Sequence, residues 1–261
     1  MAGCAGGIIS GLLGVGGGII YVAILSIFFD KLGVNDIDFV RYILSNSFFA
    51  IFFASVVGSI QQIRQKNFFI KEVILLSISS VILSFVVSFL IVQYNWYSKS
   101  IFNIFFIIVL TVLMLRMFIN TGKKHQDDLK DNIRGFHYTI TGIFTGAFSA
   151  LSGLGGGVIT VPLLADFHKL RIKKATSISL GAMPFMTVAS ALFYAQFKSG
   201  NGISGTFGYL YPQITIPMVL GVILTSAFGV KLSKKLTEKT IRYTFASVML
   251  LVIIRMGYSL F

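Results

Sequence analysis

Polar and apolar positions along this chain do not alternate; they come in long blocks. Apolar runs able to cross a hydrocarbon core of about 30 Å lie at 5–29, 39–60, 73–94, 101–119, 136–165, 175–197, 212–230 and 241–260. Their continuity predicts helices, because a membrane-barrel strand alternates polar and apolar residues over about ten positions. The expected fold is therefore an all-α integral membrane protein of about eight hydrophobic helical segments.

Two runs are interrupted in the same way. Leu13-Gly14-Val15-Gly16-Gly17-Gly18-Ile19-Ile20 reappears 139 residues later as Ser152-Gly153-Leu154-Gly155-Gly156-Gly157-Val158-Ile159. The same offset aligns Gly7 with Gly146, Ser10 with Ser149, and Arg116-Met117 with Arg255-Met256. The chain reads as two homologous halves of four segments, 3–120 and 136–260, joined by a charged linker at 121–135. Glycine destabilises a helix by roughly 1 kcal/mol relative to alanine, so segments one and five are predicted to break at these clusters.

Charge sets the orientation. Basic residues crowd the connections after segment two (Arg64, Lys66, Lys71), four (Lys123, Lys124, Lys130, Arg134), five (Lys169, Arg171, Lys173, Lys174) and seven (Lys231, Lys234, Lys235, Lys239, Arg242). The connections after three and six hold one each, Lys99 and Lys198. Eight full spans would put the basic loops after segments four and five on opposite faces, against the tendency of short basic loops to stay cytoplasmic. A segment five that enters and leaves on one face resolves this: 135–166 suffices for two half-length helices joined at the glycines. Segment one then mirrors it, and the halves are inverted. Eight full spans with parallel halves remain the competing plan.

Composition agrees with burial in lipid: 55% of residues are hydrophobic, 12% are charged, and mean hydropathy is +0.85. The net charge of +13 sits in short interhelical loops, which points to membrane orientation and away from nucleic acid. The first residues lack a basic n-region and the first apolar run is long, so no cleavable signal peptide is expected. Cys4 is the single cysteine, and no cofactor or metal cluster is expected. His125, His137 and His168 fall in or beside loops. Asp166 and Glu72 lie at segment edges.

At the glycine clusters, bare backbone N–H groups and the N-terminus of a resumed helix attract anions. The candidate substrate contacts are Gly14, Gly16, Gly17 and Gly18, with Gly153, Gly155, Gly156 and Gly157. Close packing of helices through small residues is the other reading. Ser45, Asn46, Thr176 and Ser177 are candidate neutral donors, although such side chains also bond their own helix carbonyls. Arg116 and Arg255 are read as the basic residues within apolar runs, either attracting substrate or snorkelling to the headgroups. Pro184 is a candidate hinge. Tyr94, Trp96, Tyr97, Tyr209 and Tyr211 read as interfacial aromatic belts.

The paired Gly-x-Gly-Gly-Gly stretches, with Val161-Pro162-Leu163-Leu164 after the second and Ala175-Thr176-Ser177-Ile178 beyond it, resemble the sulfite exporter (TauE/SafE) family of membrane transporters. Ala23 stands where Pro162 would align, so the first copy departs from the pattern. The resemblance implies a non-enzymatic secondary transporter, an exporter of a small anion such as sulfite or an organosulfonate, multi-pass in the inner cell membrane. Its partners are then the anionic substrate and the lipid, and a homo-oligomer is compatible with it. A passive anion channel and a membrane assembly protein are the alternatives.

Overall fold

The computed structural model of the chain describes residues 2–13, 16–119, 134–197, 203–233 and 238–258. These residues form ten α-helices: α1 (Ala2–Leu13), α2 (Gly18–Lys31), α3 (Asp36–Arg64), α4 (Ile70–Tyr94), α5 (Lys99–Ile119), α6 (Gly135–Ser152), α7 (Gly157–Pro162), α8 (Ile172–Ala195), α9 (Pro212–Ser233) and α10 (Glu238–Tyr258). A π-turn, Leu163–Phe167, continues α7. Among the described residues, four helices are long and apolar enough to cross a membrane: 36–64, 70–94, 172–195 and, within α9, 212–229. Most of the expected linker, 120–133, lies outside the described residues, as do Gly14 and Lys198.

Local chemistry sets the helix ends. Asn35 caps α3 by accepting from the Asp38 N–H at 2.9 Å, and Asp36 and Asp38 add negative charge to that first turn. Segment five, expected as two half-length helices, has unequal arms: 18 residues before the break and six after it. Pro162 has no backbone N–H to donate, and the chain loosens into the π-turn directly after it.

Each broken segment folds back on itself. In the second hairpin Thr145 Oγ1 meets Thr160 Oγ1 at 3.0 Å. At its base the His137 and His168 rings lie 4.8 Å apart, so the chain leaves at the end where it entered. In the first hairpin the Tyr21 ring lies against Gly6, the pair that the 139-residue offset maps onto Thr145 and Thr160. Arg134 and the run Lys169 to Lys174 consequently share one end of the fold. The α3–α4 connection joins them there, through Asn67 Nδ2 to the Lys173 carbonyl at 3.3 Å and Lys174 to Glu72 at 2.9 Å.

The packing is symmetric under exchange of the halves. α1 lies along α9 as α6 lies along α4, α3 packs on α9 as α4 packs on α8, and α3 meets α8 while α5 meets α10. α3 and α8 run antiparallel: Ser59 Oγ donates to the Leu180 carbonyl at 2.8 Å, and beyond the C-terminal end of α3 Asn67 reaches Lys173 near the start of α8.

Candidate functional site

The two hairpin tips meet at the centre of the bundle. Gly16 and Gly17 have φ of 79° and 69°, and Gly155 and Gly156 repeat this with 71° and 75°. Side chains rarely adopt that left-handed region, and Gly17 and Gly156 use it to start α2 and α7. Gly18 serves a second need, because a Cβ on it would stand 2.8 Å from both the Cα and the carbonyl oxygen of Leu154 in the other tip. Ile51, about midway along α3, and Met183 and Thr187 of α8 close the junction.

Chemically, this centre joins two helix starts, where the first N–H groups of a helix point outward and the dipole is positive. Its immediate walls are mostly apolar (Ile51, Leu154, Met183, Met186), with Thr187 and Ser47 beside them, so the donors work in a low-dielectric setting. Gly16, Gly17, Gly18, Gly153, Gly155, Gly156 and Gly157 all lie here and are buried.

The other candidates lie elsewhere. Thr176 and Ser177 sit at the basic end, with Ser177 donating to the Asn67 carbonyl. Arg255 lies at the opposite end, half-exposed, 3.6 Å from Asp30, which also pairs with Lys99 at 2.5 Å. The Arg116 side chain is outside the described part of the structure. Ser45 is buried and its hydroxyl has no partner.

Asn46 has all its capacity committed. Its Nδ2 donates to the carbonyls of Tyr42 (2.7 Å) and Tyr209 (3.0 Å), and its Oδ1 accepts from the Tyr211 N–H (2.9 Å) and from Thr215 Oγ1. It staples the α8–α9 connection onto α3. Asn46→Ala is expected to lower stability by roughly 1–3 kcal/mol through orphaned buried groups, read as a fall in Tm by scanning fluorimetry. An unchanged Tm with weakened anion affinity would instead make Asn46 a substrate contact.

One cluster escaped the sequence reading. Arg41 lies within the second apolar run and is buried with Asp38. Its guanidinium donates to Asp38 Oδ1 (3.3 Å), the Tyr209 hydroxyl (3.0 Å), the Ile91 and Val92 carbonyls (3.4 and 2.9 Å) and Asn95 Oδ1. Tyr209 donates in turn to Asp38 at 2.8 Å. Burial, with the bond to Asp38, pushes the Tyr209 pKa up to about 12 against the pull of Arg41, so it stays a donor at neutral pH. Arg41 thereby caps the carbonyl end of α4 and ties it to α3 and to the second half of the chain. The i,i+3 spacing of Asp38 and Arg41 was the available signal. The belt reading also needs correction: Trp96 and Tyr94 are exposed, but Tyr97 and Tyr209 are buried, and the Tyr97 hydroxyl donates to the Leu151 carbonyl at 2.8 Å.

Long apolar helices, the described basic connections at 64–72 and 169–174 lying at one end, and two broken helices meeting within the bundle fit a multi-pass membrane transporter. A family model described as sulfite exporter TauE/SafE matches residues 1–256, and the chain belongs to that family. It is 28% identical over 245 residues to a probable membrane transporter protein of Methanocaldococcus jannaschii, covering 93% of this chain and 88% of the relative. It is 26% identical over 262 residues to a probable membrane transporter protein of Haemophilus influenzae, covering 98% and 96%.

Proposed function

We propose that the chain is a secondary transporter that carries a small anion, sulfite or an organosulfonate, out of the cell through the inner membrane. The observation that carries this reading is the meeting of the two glycine breaks midway along α3, where two helix starts offer backbone donors without a full positive charge. The anion's contacts are the N–H groups of Gly14, Gly16, Gly17 and Gly18 and of Gly153, Gly155, Gly156 and Gly157. Such donors replace its hydration shell.

The halves are inverted repeats. Supporting this, α3 and α8 are repeat mates and pack antiparallel, as expected of a two-fold axis lying in the membrane plane. The basic end faces the cytoplasm, and both hairpins are re-entrant, the second from inside and the first from outside. Alternating access then rocks one half against the other around the central site. The buried carboxylate of Asp38 is already engaged by Arg41, which favours the membrane potential and the anion gradient as the driving force over proton coupling.

Solid-supported-membrane currents from proteoliposomes given sulfite, sulfate, thiosulfate, taurine and sulfoacetate, with and without a pH gradient, test the reading. A saturating current with at least one sulfur oxyanion, undiminished without the pH gradient, is expected. Counterflow should saturate, which a passive pore does not do. Absence of current for every anion overturns the proposal.

A further inference from the structure

One face of α4 carries Ser77, Ser80, Ser84 and Ser88 at helical spacing, all buried. Toward the basic end this row serves close packing: Gly142 and Gly146 of α6 lie against Ser79 and Ser80, whose hydroxyls bond carbonyls of their own helix. From Ser84 onward the row changes character. Ser84 Oγ meets Ser190 Oγ of α8 at 2.7 Å. One turn further, the Tyr194 hydroxyl faces Ser88, and neither group completes a hydrogen bond. Ser149, which continues the Gly142–Gly146 face of α6, has a third buried hydroxyl without a partner.

This line of hydroxyls has two defined ends. Ser190 lies one turn beyond Thr187, which touches the position of Gly155. The Tyr209 N–H donates to the Tyr194 carbonyl at 3.3 Å, and the Tyr209 hydroxyl accepts from Arg41, whose Nε is itself buried without a partner. Each buried polar group left unpaired costs about 1–3 kcal/mol, and Ser88, Ser149, Tyr194 and Arg41 Nε are four such groups along this line. An oxyanion supplies what they lack, since O–H donors bond an anionic oxygen more strongly than a neutral one.

Resting on the reading of the chain as an anion transporter, we propose that Ser84, Ser88, Ser190 and Tyr194 form a transit subsite for a small sulfur oxyanion between the glycine breaks and the Arg41 end. Neutral hydroxyls coordinate the anion tightly enough to draw it from the centre and weakly enough to release it, the balance that conduction requires. At the far end Arg41, paired with Asp38, has its Nε left to donate.

Single cysteines at Ser88 or Ser190 in a Cys4→Ala background, in lipid nanodiscs, test this with two thiol reagents. These are 2-sulfonatoethyl and 2-trimethylammonioethyl methanethiosulfonate, each normalised to its rate with free mercaptoethanol. The sulfonate reagent is expected to react at least about tenfold faster at both positions, with no such preference at a cysteine replacing the exposed Leu192. Adding Tyr194→Phe should reduce the preference. Equal normalised rates, or no reaction at either position, overturn the subsite. Should the cysteine variants fail to fold, Tyr194→Phe alone decides: a several-fold rise in half-saturating anion concentration supports the subsite and an unchanged value removes it. A wild type without anion currents whose Ser88 and Ser190 cysteines still prefer the sulfonate reagent would fail the transport reading but not the subsite.

Discussion

Gly18→Val abolishes transport and lowers the yield of folded protein. A Cβ at this position would sit 2.8 Å from two backbone atoms of Leu154 and 3.0 Å from Ile51 Cδ1. Backbone in the opposing hairpin tip cannot swing aside as a side-chain end can, so the two tips must separate. Overpacking a core typically costs 1–3 kcal/mol, and valine, with two more methyl groups than alanine, belongs at or above the upper end. Gly257→Ala is the control, because nothing lies within 4 Å of its added carbon. Current per folded protein in proteoliposomes and Tm in detergent measure both effects. A Gly18→Val protein with wild-type Tm and current would mean that the tips do not meet as described.

The same glycines show what was legible from residues alone. Glycine's conformational freedom is a local property, so a duplicated cluster announces a duplicated backbone, and the matching φ values of Gly17 and Gly156 bear that out. That the basic connections at 64–72 and 169–174 share one end was legible too, because charge resists entry into lipid wherever the helices pack. Arg41 was harder to read. Its hydroxyl partner, Tyr209, is 168 positions away, brought close by how α3 packs on α9, and no local pattern encodes that. Tyr97 and Tyr209 failed for a related reason: a tyrosine near a helix end suits a headgroup belt and a buried hydrogen bond equally well, and only tertiary neighbours decide. The unequal hairpin arms followed from Pro162, whose place in the sequence was plain but whose structural effect was not.

Arg41→Met is expected to destabilise the protein by about 3–5 kcal/mol, the usual penalty for removing one partner of a buried ion pair. Asp38 would be left at 4% exposure with the Tyr209 hydroxyl as its remaining side-chain partner among those described, and the last carbonyls of α4 would lose their donor. Arg41→Lys should not rescue it, since an ammonium cannot reproduce a planar fork reaching several acceptors at once. The double variant Asp38→Asn with Arg41→Met should recover part of the loss, because the buried charge leaves with its partner. A coupling energy of roughly 0.5–3 kcal/mol in the double-mutant cycle is expected, measured from Tm or denaturant midpoints of the four proteins. A single Arg41→Met variant within about 0.5 kcal/mol of wild type, the range of ordinary surface changes, would show that the cluster holds nothing together.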